Sequence, residues 1–312
     1  MRKQLFCSLI AALTVGTALV GMLSSCANKS SYFWDESAQS LTIYSDIGFE
    51  EWNNDKKSGS SPISLVLSDK VTKIPQKFMM GNDCLEQLVM GERVVIVEEK
   101  AFQNCTALEQ ITWSPVLEEI KSAAFENTAI HELILPDGIC RIEALSFDNC
   151  RNLIGVVLPD SIVELETNFS SCNKLVYVRL PRAIERIDDL MFGRCSELKS
   201  IRIPESVKVL GYDVLKDSAI QELIIEGCLD EIESFRAQRC TNLRRIIFLD
   251  APPLNVTGDL AKGWIGLFMG DSDVTIYYLN TNQASWAPNG ETEWLSRPLI
   301  GIDSLDDLPP LD

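Results

Sequence analysis

The chain has 312 residues, 46% hydrophobic and 23% charged, with a formal net charge of −17 and a single histidine, His131. That composition can fill a continuous core in a water-facing protein, while the negative balance repels a phosphate backbone and argues against nucleic acid as a partner. One histidine nearly removes His-based triads and His-rich metal sites from consideration.

Arg2 and Lys3 precede an almost wholly apolar or small stretch, Leu5 to Leu23, which ends in Leu23-Ser24-Ser25-Cys26. A basic start, an apolar run and small residues before a cleavage point describe a secretory signal peptide. The tetrad resembles a bacterial lipobox. That resemblance implies cleavage before Cys26 and a diacylglycerol on its thiol, with further acylation for stable anchoring. The competing reading is an uncleaved anchor, since ~18 apolar residues can span a bilayer. The polar tether Asn28-Lys29-Ser30-Ser31 favours the lipoprotein. The expected organisation is a signal peptide over 1–25, a tether and N-terminal cap over 26–62, a repeat array over 63–250, a C-terminal cap over 251–302 and an acidic tail over 303–312.

Leu41-Thr42-Ile43-Tyr44, after Trp34, reads as an opening strand. A polar loop from Asn53 to Ser61 leads to an early strand at Ile63 to Leu67. A ladder then begins. Leu85, Leu108, Ile130, Leu153, Leu175, Leu198, Ile220 and Leu243 follow at steps of 22 or 23 residues. A period in the twenties marks a solenoid of stacked coils. Each unit opens with an alternating apolar segment, such as Val178-Arg179-Leu180, which reads as a half-buried strand. A proline ends it, because proline cannot donate to a ladder. A second apolar pair, such as Ile184 and Ile187, starts the return leg. An aromatic follows: Phe78, Phe102, Phe125, Phe147, Phe169 or Phe192. One coil buries only half its apolar side chains, so neighbours must complete the core. Eight strands ~4.8 Å apart would form a parallel sheet roughly 34 Å wide.

Cys105, Cys150, Cys172, Cys195 and Cys240 share one repeat position, three residues before the ladder residue. They should form a column of small buried side chains. A spacing of ~4.8 Å lies within disulfide reach, but parallel side chains oppose bridging, so free thiols are expected. Cys140 and Cys228 lie four coils apart. No CxxC pair suggests zinc. After Phe248 the pattern breaks at Pro252-Pro253. Val274 to Tyr278 reads as a further strand, Trp286, Trp294 and Ile300 should pack over the last coil, and the acidic, proline-bearing tail from Asp303 to Asp312 should be loose.

The motif Ala-Phe-x-x-Cys-x-x-Leu-x-x-Ile-x-[Ile/Leu]-Pro-x-x-[Ile/Val]-x-x-Ile resembles the BspA-like bacterial leucine-rich repeat, and residues 63–250 match it. The resemblance implies a leucine-rich repeat solenoid of right-handed coils with a parallel β-sheet on one face and irregular return legs. It also implies a secreted or surface protein of the kind found in Gram-negative anaerobes, several of which are taken to bind host matrix proteins or other bacteria. This chain is short and shows no second domain, which weakens the adhesion inference.

The sheet's outward positions form the candidate binding surface. Ile154, Val157, Val176 and Tyr177 make an apolar middle, and Arg179, Lys199, Arg202, Arg244 and Arg245 a basic flank. An apolar patch edged by charge marks a contact site; ordinary strand propensity with chance charge placement is the competing reading. His131 falls at an exposed strand position. Carboxylate pairs such as Glu98-Glu99 carry no signal among 45 acidic residues. Asp160-Ser161-Ile162, Asp217-Ser218-Ala219 and Asp303-Ser304-Leu305 resemble an O-glycan acceptor used by some anaerobes, though the motif is short and common by chance. The expectation is a monomeric, non-enzymatic envelope lipoprotein. It has no cofactor or metal, is anchored to the outer membrane at Cys26, and binds protein or glycan through this face. The alternative is an assembly component of an envelope complex. Ala27 is not the aspartate that often retains lipoproteins at the inner membrane, and Asn28-Lys29-Ser30 lacks a clear export signal, so surface and periplasmic orientations stay open.

Overall fold

The computed structural model describes residues 30–56, 59–232, 242–252 and 274–311. Cys26, Cys240 and the signal segment lie outside them. Within them the chain winds into a leucine-rich repeat solenoid. Its main sheet starts at Ser40–Ile43, gains one short parallel strand per coil, and ends at Arg297–Ile302. The strands form because alternate side chains have a core to enter: Leu88, Leu133, Val156, Val178, Ile201 and Leu223 all point inward and are buried. All eight ladder residues are buried as well. Successive coils stay in register, with Glu132, Gly155 and Tyr177 in one row and Ile134, Val157 and Arg179 in the next. The hydrogen-bonded ladder divides between Gln110–Thr112 and Glu132–Ile134, and again between Tyr177–Arg179 and Ser200–Ile203.

The return leg is more regular than expected. Two-residue strands, from Lys73–Ile74 through Arg141–Ile142 to Glu164–Leu165, form a second parallel ladder, continued by Arg186–Ile187, Val209–Leu210 and Glu231–Ile232. Two residues are too few to show alternation, so only the buried member of each pair, such as Ile142 or Ile187, is visible as a periodic apolar position.

The third side of each coil carries the phenylalanines. Phe102, Phe125, Phe147, Phe169 and Phe192 are fully buried, and successive rings stack at centroid distances of 5.3, 5.7, 6.1 and 6.1 Å. The backbone here bonds from coil to coil: Lys100 N–H donates to Ser122 O (3.0 Å), Phe102 N–H to Ala124 O (2.8 Å) and Asn104 N–H to Glu126 O (2.9 Å). Left-handed residues bracket Phe102, Phe125, Phe147 and Phe192, such as Lys100 (φ 58) and Asn104 (φ 62), and Ser171 (φ 62) follows Phe169. Asparagine tolerates that conformation, and here it also bonds laterally. Asn127 Nδ2 donates to Asn104 Oδ1 (2.9 Å), and Asn149 Nδ2 donates to Asn127 Oδ1 (3.0 Å).

Cys105, Cys150, Cys172 and Cys195 are buried free thiols. Each donates toward a carbonyl of the preceding coil, Cys105 to Met79 O (3.1 Å), Cys150 to Phe125 O (3.3 Å), Cys172 to Phe147 O (3.5 Å) and Cys195 to Phe169 O (3.2 Å). This explains the residue type: the site is small and apolar but holds one carbonyl that a weak donor can satisfy. Thr128 and Ser218 occupy the same repeat position and donate to carbonyls of their own coils. Burial pushes the thiols of Cys105 and Cys195 to about 12 and that of Cys150 to about 11, and raises Cys172 well above its usual value.

Both ends are capped. Tyr32–Asp35 pairs antiparallel with Ser40–Ile43. A helix, Ile47–Asp55, then lays Phe49 and Trp52 on the first coil, where Phe49 meets Phe78 edge-on at 4.6 Å and Trp52 meets Trp34 at 5.2 Å. The sequence predicts only a polar loop from Asn53; the helix is nine residues long, and Asp46 gives it no side-chain cap. At the other end Thr275–Leu279 and Arg297–Ile302 extend the sheet. Trp286 is buried against Phe248 at 4.6 Å and donates from Nε1 to Asp250 O (2.8 Å), and Trp294 packs on Trp286 at 5.5 Å. Ile300 does not join this cap: its side chain faces outward and stays 44% exposed.

The tail, expected to be loose, is folded. Leu305–Asp307 is a 3-10 turn with a capping box. Ser304 Oγ accepts from Asp306 N–H, and Asp307 Oδ2 accepts from Ser304 N–H at 2.8 Å. Leu305 and Leu308 pack against Ile247, Tyr277 and Ile302.

Candidate binding face

The outward side chains come from the residues between the buried ladder positions, so each coil supplies a few. In the middle coils Ile134 is 54% exposed, Ile154 44%, and Val176 and Tyr177 51% each. Val157 is half-buried between Ile134 and Arg179 in its row. Gly155 stands opposite Tyr177, and a Cβ there would meet nothing within 4 Å. The sheet is therefore open down to the backbone at Gly155, in the coil before Tyr177. The structure thus brings Ile154, Val157, Val176 and Tyr177 together as one patch. It adds Ile134, an outward period-two position in the row of Val157 that stays 54% exposed.

The basic flank is different from the expectation. Arg179 is engaged: Nη1 donates to Leu158 O (2.6 Å) and Nη2 to Asp160 Oδ2 (2.7 Å). Burial pushes the Asp160 carboxyl up, but the Arg182 N–H and the Arg179 guanidinium hold it below its ordinary value. Arg202 pairs with Glu226. Lys199 and Arg244 are exposed. Arg245 is not on the open face at all. Its side chain is 12% exposed, ion-paired with Glu222 Oε2 at 2.5 Å, and donates to Pro309 O of the tail. The sequence pattern placed it outward, which is right, but gave no sign that the tail would cover it. Ile247, beside it, is outward and fully buried for the same reason.

Where the ladder divides beyond Tyr177–Arg179 there is a cleft of about 140 Å³, lined by Tyr177, Arg179, Arg182, Arg202, Pro204 and Glu226 among others. It is too small for a drug-sized ligand, whose pockets run to roughly 300 Å³ or more, but wide enough for one side chain of a partner. His131 is exposed, as expected. Of the three Asp-Ser-apolar sites, Ser218 is buried, Ser161 Oγ is half-buried and donates to Ile139 O (2.6 Å), and Ser304 is exposed. Among the described residues no cluster of His, Cys, Asp and Glu could hold a metal ion, and no helix is long and apolar enough to cross a membrane.

Six copies of the BspA type leucine-rich repeat region are matched over residues 72–169 and 165–258. The chain belongs to this family. The matched span is the array of stacked phenylalanines and thiols described above, and a BspA type repeat protein is in general an interaction module on a typically non-enzymatic fold. Similar solved structures include a leucine-rich repeat protein of T. pallidum, 23% identical, covering 62% of this chain and 88% of that one at a TM-score of 0.47. Another is a Bacteroides ovatus leucine-rich repeat protein, 16% identical, with coverages of 89% and 82% and a TM-score of 0.46. The pneumococcal vaccine antigen PcpA is 16% identical, with coverages of 87% and 82% and a TM-score of 0.39. No curated protein matches significantly.

Proposed function

We propose that this BspA type protein is a lipid-anchored component of the cell envelope that binds a protein or glycan partner through the middle coils of its sheet. The observation that carries the reading is the cluster of Ile134, Ile154, Val176 and Tyr177. These are large apolar side chains, each between 44% and 54% exposed, adjacent on one rigid face beside an arginine-lined cleft. A solenoid with a packed core supplies the rigidity that makes such a patch a low-entropy contact surface. The high thiol values argue against nucleophilic chemistry by the buried cysteines.

Anchoring is proposed at Cys26, from the lipobox resemblance, with the outer membrane as destination. Mass spectrometry of the mature protein should find an acylated Cys26 at the N-terminus, and an intact Met1 would refute the anchor. Protease shaving of intact cells separates surface from periplasmic orientation. For the face, the test is capture of a partner by the purified full chain, followed by Tyr177→Ala and Arg202→Glu. Both should weaken capture at least tenfold with circular dichroism unchanged. Capture untouched by either substitution means that this face is not the site. A native pull-down that returns only stable envelope partners would favour the assembly reading.

A further inference from the structure

Ile247 occupies an outward position of the sheet and is nevertheless fully buried, and its neighbour Tyr277 is 7% exposed. What covers them is the chain's own tail. In a 3-10 turn, residues i and i+3 eclipse. Leu305 and Leu308 are three apart and both lie against the Ile247–Tyr277–Ile302 cluster, while Asp306 and Asp307 stay exposed. The capping box from Ser304 and Asp307 is internal to the turn, so its shape does not depend on the sheet. A single side chain of the sheet clasps the segment: Arg245, held by Glu222, donates to Pro309 O. An open depression of about 440 Å³ lies beside the segment, lined by Tyr277, Ile300 and the tail residues Asp303, Asp307 and Pro309. Beside the seat Arg245 pairs with Glu222 and Arg202 with Glu226.

We propose that the outward face of the C-terminal coils is a seat for an acidic, leucine-bearing peptide segment of a partner protein, and that residues Ser304–Pro309 fill it in cis as a displaceable stand-in. The two leucines give the apolar contact, the carbonyl after them meets Arg245, and the aspartates between them stay in solvent. The proposal rests on the reading that this sheet face binds partners, and names the chemistry of the ligand at its C-terminal end. Displacing the tail would uncover Ile247 and Tyr277 and extend the apolar surface beyond the middle coils.

The test uses full-length protein and a fluorescein-labelled peptide with the sequence of residues 303–312, read by fluorescence anisotropy. The double variant Leu305→Asp/Leu308→Asp vacates the seat without shortening the chain. It should bind the peptide at least tenfold more tightly than wild type, whose own tail competes. Adding Arg245→Gln should weaken that binding at least fivefold, and a peptide with both leucines replaced by aspartate should not bind. Equal affinity of wild type and the vacated variant, or no binding to either when circular dichroism reports both folded, overturns the proposal. Should the vacated variant aggregate, hydrogen exchange on wild type decides. Saturating peptide should speed exchange at the tail amides of Asp303, Ser304 and Asp307, and unchanged rates overturn the proposal. Tyr177→Ala should leave peptide binding within twofold. Loss of partner capture in that variant without any peptide binding therefore defeats only this proposal, and peptide binding with partner capture untouched defeats only the middle-coil reading.

Discussion

Phe147→Ala should be a severely damaging truncation, because the ring lies inside the stack. The ring is fully buried and lies between Phe125 at 5.7 Å and Phe169 at 6.1 Å, with planes within 4° and 13° of parallel. Truncating a buried phenylalanine to alanine costs about 3–5 kcal/mol, depending on how far the site collapses. Collapse is hindered here, because the flanking backbone is tied on both sides: Phe125 N–H donates to Ser146 O (3.0 Å) and Asn149 N–H to Ser170 O (2.9 Å). The expected loss is therefore in the upper part of that range, about 4–5 kcal/mol, a large share of a typical total of about 5–15 kcal/mol. Phe192 provides the internal control. Among the described residues it stacks on Phe169 alone, since the next coil carries Leu215 at that position. Phe192→Ala should cost less by roughly the value of one ring pair, about 0.5–1.5 kcal/mol. Urea titration followed by far-ultraviolet circular dichroism measures both. Because coils interact only with neighbours, the central cavity should also lower the m-value as the two halves uncouple. A Phe147→Ala loss below about 2 kcal/mol with an unchanged m-value, or a larger loss for Phe192→Ala, would refute the claim that the stack couples the coils.

Three further outcomes are expected. Iodoacetamide at pH 8 should modify the exposed Cys84 and the half-buried Cys140 and Cys228 in native protein, with Cys84 slowed by its hydrogen bond to Asp83, which raises its thiol. Cys105, Cys150, Cys172 and Cys195 should react only in denaturant; peptide mapping that finds any of them labelled as fast as Cys84 contradicts the column. Asp148 is half-buried, and burial, aided by the nearby charge of Glu126, raises its carboxyl from 3.8 to about 6. The folded state thus holds the proton more tightly than the unfolded one, so this group's stabilisation is complete below pH ~4 and lost as pH rises through 6. With partial solvent screening the effect is about 1 kcal/mol. Asp148→Asn should be more stable than wild type at pH 7 and match it near pH 4, and a constant difference between the two would rule the group out. Asn127, at φ 56, makes two lateral side-chain bonds. Asn127→Ala should lose about 1–2 kcal/mol and Asn127→Gly less, because glycine keeps the backbone conformation; the reverse order in thermal melts would show that the side-chain bonds alone matter.

The inward half of this molecule was legible because the period writes it repeatedly. Leu153, Phe147 and Cys150 each recur at fixed offsets, and every recurrence in the described residues is buried. The parts that escaped are those that occur once. The helix Ile47–Asp55 has one turn's worth of apolar contacts, Phe49 and Trp52, and no repetition to average over. The tail was read by composition, as acid and proline. Its own signals were local and present: Ser304 and Asp307 at capping-box spacing, and Leu305 and Leu308 at the i, i+3 spacing that puts both on one side of a turn.

The pairing of Arg245 has a more general cause. In a solenoid of 22- or 23-residue coils, that separation in sequence is contact in space. Arg245 and Glu222 are 23 apart and pair, as do Arg141 and Glu164, and Ser200 hydrogen-bonds Glu222 at a separation of 22. Charges on such a sheet have to be counted one period at a time, not summed along the chain. Counted that way, Arg245 is neutralised by the coil before it, and Arg179 and Arg202 by Asp160 and Glu226. The basic flank thus loses most of its field, and the exposed pairs Arg179–Asp160 and Arg202–Glu226 contribute little energy on their own. The apolar positions have no such neighbours to cancel them. Ile134, Ile154, Val176 and Tyr177 remain exposed beside these paired charges, which is why the proposed contact is placed on them rather than on the arginines.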